Sequence, residues 1–329
     1  MSANPLPQSP QIEPGVRWCD DVLELPEPFA LESGESLPAA RLAWQCVGPD
    51  AAPLIVVLGG ISAHRRVCAR DGRGWFEAQC GAGRALDTAR YRVLGIDWLG
   101  GVDDSTGPRG NADFPAISTA DQAHALLLLL NRLGVRRVHL LVGASYGGNV
   151  AQQLAILLGD RLRRLVLLSA AHRPSQFGLA LRRVQRAILD LGGDAKTALA
   201  LARTLAVLGY RTPAGVEDRF GHDATGTQVL SWLDHHGAKF SARFDAAAYR
   251  VLSASIDAHR IDPVTVRVPT TQVAVREDLI VPPSLLREYA GRAPCCELVE
   301  IFSTYGHDAF LKEERLVGNV LRAALEECP

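Results

Sequence analysis

Arg137-Val138-His139-Leu140-Leu141-Val142 runs directly into Gly143-Ala144-Ser145-Tyr146-Gly147-Gly148, and Asn149–Leu158 continues with helical spacing. An apolar strand, a G-x-S-x-G turn and a helix in that order form a nucleophile elbow. The serine sits on a sharp strand-to-helix turn, and small residues on either side let the backbones crowd together. By itself the pentapeptide is also compatible with an ordinary glycine-rich turn; the strand before it and the helix after it give it meaning. The new helix favours negative charge at its start, and the Tyr146 N–H can donate to an oxyanion.

Working outward, short apolar runs alternate with helical stretches. Arg41–Cys46, Leu54–Leu58, Tyr91–Ile96, Arg137–Val142 and Leu165–Leu168 read as strands. Ser118–Leu133 reads as a helix, with Thr119 and Asp121 in its first turn and Gly134 as its stop. This rhythm predicts an α/β fold: a mostly parallel central sheet with helices on both faces. It breaks after Ala171. Residues 174–261 are helical and polar-patterned, without a strand until Thr270–Val275, which predicts a helical cap inserted over the carboxyl edge of the sheet. The expected division is a loose N-terminal arm over 1–27, a core over 28–173 and 262–329, and the cap over 174–261. A last strand is expected near Leu298–Phe302 and a terminal helix from about Glu313.

The 329 residues carry 35 Lys+Arg against 36 Asp+Glu, a formal charge of -1. That balance offers no basic field for nucleic acid or an anionic membrane. With 47% hydrophobic and 22% charged residues the chain can fill a core. Seven cysteines, none in a C-x-x-C pair, suggest thiols in a reducing compartment. The first residues lack a basic segment followed by an apolar one, and no apolar run is long enough to span a bilayer. The expectation is a cytoplasmic protein with no membrane or nucleic-acid partner. No H-E-x-x-H or H-x-x-E-H spacing supports a metal site.

A serine nucleophile needs a base, and the base needs an orienting carboxylate. On this architecture they follow the serine as acid, then histidine. His307 lies in the loop before the terminal helix; His172, just after Leu165–Leu168, is its competitor. Asp278 ends the Thr270–Val275 strand segment and is preferred to Glu277, which would point the other way. Gly59-Gly60-Ile61 follows the buried Leu54–Leu58 strand and can supply a second oxyanion donor beside Tyr146. Arg203 stands in an otherwise apolar helical stretch, either on a solvated face or as a buried ligand.

With these residues placed, the chain resembles the homoserine O-acetyltransferase family of α/β-hydrolase-fold acyltransferases. The likeness runs from about Leu31 to Leu311. It rests on Leu99-Gly100-Gly101 with Ser105-Thr106-Gly107-Pro108, the elbow, Ala202-Arg203 with Tyr210-Arg211-Thr212, Arg219-Phe220, Lys239-Phe240 with Arg243-Phe244-Asp245, and Tyr305-Gly306-His307-Asp308-Ala309-Phe310-Leu311. The chain departs from the family pattern at Ala144 and Tyr146, at Gly59-Gly60-Ile61, at Arg65-Arg66, and in a shorter cap.

The resemblance implies a ping-pong reaction for methionine biosynthesis. Ser145 would take the acyl group from acetyl-CoA, His307 would act as base with Asp278 behind it, and L-homoserine would then attack. Tyr146, Gly59 and Gly60 would form the oxyanion site; Arg203, Tyr210 and Asp308 would bind the acceptor. The acyl-CoA is a co-substrate, no cofactor or metal is implied, and a homodimer through the cap helices is expected. Two alternatives stay open. One is a homoserine or serine O-succinyltransferase using succinyl-CoA, with Arg65 or Arg66 reading the extra carboxylate unless they are a solvated surface pair. The other is a serine hydrolase in which water replaces the acceptor.

Overall fold

All five residues of Leu54–Leu58 are buried because both faces of that strand are covered. Leu54, Val56 and Leu58 enter one core cluster, and Ile55 and Val57 enter the cluster on the opposite face. The same alternation splits Leu165 and Leu167 from Val166 and Leu168. A continuous apolar run is what a two-sided parallel strand requires. The computed structural model in which these contacts occur describes residues 16–327.

In chain order the chain forms β1 (Arg17–Glu24), β2 (Phe29–Ala30), β3 (Ser36–Leu37), β4 (Arg41–Gly48), β5 (Leu54–Leu58) and β6 (Arg92–Ile96). Then come α1 (Thr119–Arg132), β7 (Leu140–Ala144), α2 (Tyr146–Leu158) and β8 (Leu165–Leu168). Helices α3 (Gln176–Asp190), α4 (Ala195–Tyr210), α5 (Pro213–Phe220), α6 (Thr227–Ser241) and α7 (Ala246–Ala258) separate β8 from β9 (Thr270–Val275). The chain ends through α8 (Pro283–Arg292), β10 (Cys296–Ile301), α9 (Ala309–Lys312) and α10 (Glu314–Glu326).

The eight-stranded sheet has the order β1-β4-β6-β5-β7-β8-β9-β10. The β1–β4 and β4–β6 pairs are antiparallel, and every pair from β6 onward is parallel. The α1 and α2 side chains Leu126, Leu129, Val150 and Leu154 pack on one face, and Val317 and Leu321 of α10 on the other. This is the α/β-hydrolase fold the sequence predicts. Ser118 starts α1 with a capping box: its hydroxyl accepts from the Asp121 N–H while the Asp121 carboxylate accepts from its own N–H. Such a cap contributes about 1 kcal/mol.

The N-terminal arm needs correction. Residues 1–15 lie outside the described part, but Arg17–Glu24 is not loose. It pairs residue for residue with Arg41–Gly48, from Arg17 opposite Gly48 to Glu24 opposite Arg41. Being an edge strand with one face largely in solvent, it carries Asp20, Asp21 and Glu24 and shows no apolar run. The predicted strand at Arg137–Val142 is Leu140–Ala144 in the structure, so the apolar run continues up to the nucleophile itself. The six described cysteines are free thiols, with Cys80 Sγ 3.1 Å from Cys68 Sγ; Cys328 lies outside the described residues. No described helix is long and apolar enough to cross a membrane.

Candidate active site

Ser145 has φ 52° and ψ −120°, a conformation L-residues avoid, and it links the end of β7 to the start of α2. Its backbone N–H is anchored to the Leu168 carbonyl at 2.9 Å. The turn is tight enough that a Cβ on Gly147 would stand 2.3 Å from the Leu58 carbonyl group. Position 147 therefore admits only glycine. The Gly147 N–H donates to the Gly59 carbonyl at 2.7 Å, tying the elbow to the loop after β5.

The serine hydroxyl meets His307 Nε2 at 2.8 Å, and His307 Nδ1 meets Asp278 Oδ2 at 2.7 Å. His307 lies on the short turn Gly306–Asp308 that follows β10. Asp278 follows β9; its other oxygen accepts from the Ile280 and Val281 N–H groups at 2.9 and 2.8 Å. Those bonds fix the orientation of the carboxylate. Glu277 turns away and accepts from the Ser303 N–H. His172 stands apart, bonded to Glu288. Burial opposes a charge on His307, but the contact with Asp278 and the nearness of Asp308 outweigh it. The imidazole is held above its ordinary value.

A cavity of about 160 Å³ opens over these groups. Gly60, Ser145, Tyr146, His307 and Asp308 line it from the core side, and Arg203, Tyr210 and Tyr249 from the helices between β8 and β9. Gly60 faces the cavity, whereas Gly59 is not among its lining residues. Tyr146 begins α2, so no intrahelical carbonyl faces its N–H. Its buried phenol bonds Ser255 Oγ at 3.0 Å and Gln122 Nε2 at 3.2 Å, locking the elbow to α7 and α1. Burial pushes that phenol up to about 12, so it stays neutral.

Arg203 pairs with no carboxylate among the described residues. Its guanidinium lies 4.7 Å from the Phe240 ring centre and 5.4 Å from that of Tyr210. Tyr210 in turn stands 5.6 Å from the His307 ring. Asp308 is held 2.9 Å from the Arg211 guanidinium. A cation that meets no carboxylate among the described residues and an anion lining the same cavity suit a ligand bearing both charges.

The two remaining candidates lie elsewhere. Arg65 is clamped by three carboxylates: Asp97, Asp20 at 2.8 Å and Asp104 at 2.7 Å. It does not line the cavity, nor is it a solvated surface residue, with 13% of its side chain exposed. Arg66 is exposed. Neither reaches an acyl group in the cavity, so the sequence expectation for Arg65 and Arg66 as donor readers is set aside. What the sequence did not reveal is Arg182, buried in the cavity wall, and Arg211 as the partner of Asp308.

Residues 53–314 match the family model described as alpha/beta hydrolase fold. The chain is 42% identical over 298 residues to a homoserine O-succinyltransferase of Xanthomonas campestris pv. campestris, covering 87% of this chain and 79% of that one. The chain belongs to the homoserine O-acyltransferase family. A homoserine O-acetyltransferase of Thermobifida fusca is 31% identical over 361 residues, covering 94% of each chain. The crystal structure of a homoserine O-acetyltransferase from Staphylococcus aureus superposes with a TM-score of 0.84 at 26% identity, covering 94% of this chain and 95% of that one. Both acyl donors thus occur among relatives of this homoserine O-acyltransferase chain.

Proposed function

We propose that the chain carries an acyl group from an acyl-CoA to the γ-hydroxyl of L-homoserine through an ester on Ser145, with succinyl-CoA as donor. The observation that carries the reading is the Ser145–His307–Asp278 hydrogen-bond chain beneath a cavity that also presents Arg203 and Asp308. In the first half-reaction His307 Nε2 takes the hydroxyl proton as Ser145 Oγ attacks the thioester carbonyl. The oxyanion rests on the Tyr146 N–H and a second donor at Gly60. The C–S bond breaks, and the departing thiolate receives the proton from the imidazolium, releasing CoA.

In the second half-reaction the homoserine hydroxyl gives its proton to His307 and attacks the ester carbonyl. The C–Oγ bond breaks and Ser145 recovers the proton. Asp278 holds the tautomer that leaves Nε2 free and stabilises the charged ring. Arg203 would hold the acceptor's carboxylate and Asp308 its ammonium group. Enclosure beneath α3–α7 keeps water from competing for the ester. The scheme uses acyl-CoA as a co-substrate and no metal or prosthetic group.

Support for succinyl-CoA is the relative at 42% identity named a succinyltransferase, against a group named acetyltransferases at 30–35% identity. The latter favours the second reading, acetyl-CoA, which the sequence resemblance also implies. Intact-mass measurement after mixing the protein with each thioester, without and then with homoserine, tests the scheme. The expected result is a single acyl group on the wild type, absent in Ser145→Ala and discharged to homoserine. An acyl group lost equally fast to water would instead indicate a hydrolase.

A further inference from the structure

Among the basic residues lining the cavity, Arg173 is matched by Glu288 at 2.7 Å. Arg203 has the role given above. Arg182, on α3, is left over. It is 8% exposed, and its Nε donates to Asp257 Oδ1 at 2.6 Å, while its Nη2 has no hydrogen-bond partner among the described residues.

Asp257 cannot balance it. The other oxygen of that carboxylate accepts from Arg186 Nη2 at 2.6 Å, and Arg186 Nη1 donates to Ser253 Oγ at 2.8 Å. Two guanidinium groups share one carboxylate, leaving one positive charge in excess. A buried excess charge with an unsatisfied donor is costly unless something supplies the missing anion.

The fold makes room for this head group. One turn earlier on α3, a Cβ on Gly178 would stand 3.1 Å from Arg182 Nη1, 2.9 Å from Ser175 Oγ and 3.2 Å from the Ile280 carbonyl. Gly178 thus leaves space between the Arg182 head group and the Ile280 carbonyl, which belongs to the loop that follows Asp278. Arg203 and Tyr210 come from α4, and Asp308 from the turn after β10. The charge on Arg182 is near enough to His307 to disfavour the imidazolium.

From this arrangement we infer that Arg182 is the donor-specificity residue: its free guanidinium edge binds the terminal carboxylate of a dicarboxylic acyl group, succinyl, while that group is carried on Ser145. The inference rests on the acyl-Ser145 reading above. Homoserine brings one carboxylate and one ammonium, which Arg203 and Asp308 satisfy. A second carboxylate can come only from the acyl chain. Two parallel N–H donors match a carboxylate in the plane of the guanidinium, and an acetyl group would leave the charge unmatched.

The test is single-turnover release of the CoA thiol, without homoserine, from succinyl-CoA, butyryl-CoA and acetyl-CoA. Butyryl has the succinyl chain length but no carboxylate. The wild type is expected to prefer succinyl to butyryl by on the order of a hundredfold. Arg182→Gln is expected to erase that preference while the butyryl and acetyl rates stay within a few-fold. Arg182→Lys, which retains the charge beside Asp257 but not the paired donors, should lose part of it.

Equal rates for all three thioesters in the wild type would overturn the inference and leave the acyl-enzyme reading standing. A comparable loss with every thioester in both variants would overturn it in favour of a structural role. Unchanged succinyl acylation with lost delivery to homoserine would assign Arg182 to the acceptor. No acylation of wild-type Ser145 by any thioester would instead remove the reading beneath.

Discussion

Asp278 Oδ2 and His307 Nδ1 lie 2.7 Å apart, and the same carboxylate is pinned through its other oxygen by the Ile280 and Val281 N–H groups. The pair fixes both the tautomer and the basicity of the imidazole. His307 must be neutral to accept the serine proton, and Asp278 and Asp308 hold it above the ordinary histidine value. The acylation rate of the wild type should therefore rise with pH through a midpoint above about 6.5. In Asp278→Asn that midpoint should move to lower pH and the plateau should fall by about 10⁴. A pH–rate profile of CoA release measures both; an unmoved midpoint would contradict the assignment.

Arg203→Ala should separate the half-reactions. The guanidinium lines the cavity and pairs with no carboxylate among the described residues, so its loss should leave acylation of Ser145 within a few-fold. KM for homoserine should rise by about a hundredfold. A parallel fall in CoA release would show that Arg203 acts on the donor instead.

Arg65 and Arg66 should behave in opposite ways despite being neighbours. Removing Arg65 strands Asp97, whose side chain is fully buried. Arg65→Leu should destabilise the protein by about 3–5 kcal/mol. Arg66→Ala, at an exposed position, should change stability by less than about 0.5 kcal/mol. Denaturant titration measures both, and neither variant that folds should change the ratio of succinyl to acetyl acylation.

Acid sensitivity should come in part from His259. It is 1% exposed, and Nδ1 lies 2.9 Å from Thr119 Oγ1. Burial, followed by the Arg260 and His172 charges, lowers it to about 3. The unfolded chain binds the proton near pH 6.5 and the folded chain only near 3. Its contribution is thus complete above about 6.5 and is lost as pH falls toward 3. Thermal melts from pH 7 to 4 should show a shallower decline in His259→Gln than in the wild type; parallel declines would exclude His259 as a source.

The parts of the site legible in the sequence are those whose meaning is local. Leu54–Leu58 reads as a buried strand because every residue is apolar, and the elbow reads as an elbow because strand, glycines and helix are contiguous. His307 and Asp278 follow from chain order once Ser145 is placed. The remainder depends on distant partners. Arg17–Glu24 has no apolar run because its neighbour β4 supplies the pairing. Arg65-Arg66 looks like one solvated pair, yet Asp20, Asp97 and Asp104 draw only the first inward. Arg182 is indistinguishable in sequence from Arg183 beside it. The buried face Gly178, Arg182 and Gln185 at helical spacing was the available signal, and it emerges only when α3 is laid against the 278–281 loop.

The bond from Gly147 to the Gly59 carbonyl has a mechanical consequence. The segment bearing the nucleophile and the segment facing it are stitched together through the main chains of adjoining strands, so thermal motion displaces them in concert. Alignment of the reacting groups should persist on heating until the central strands themselves part, and inactivation should then be abrupt.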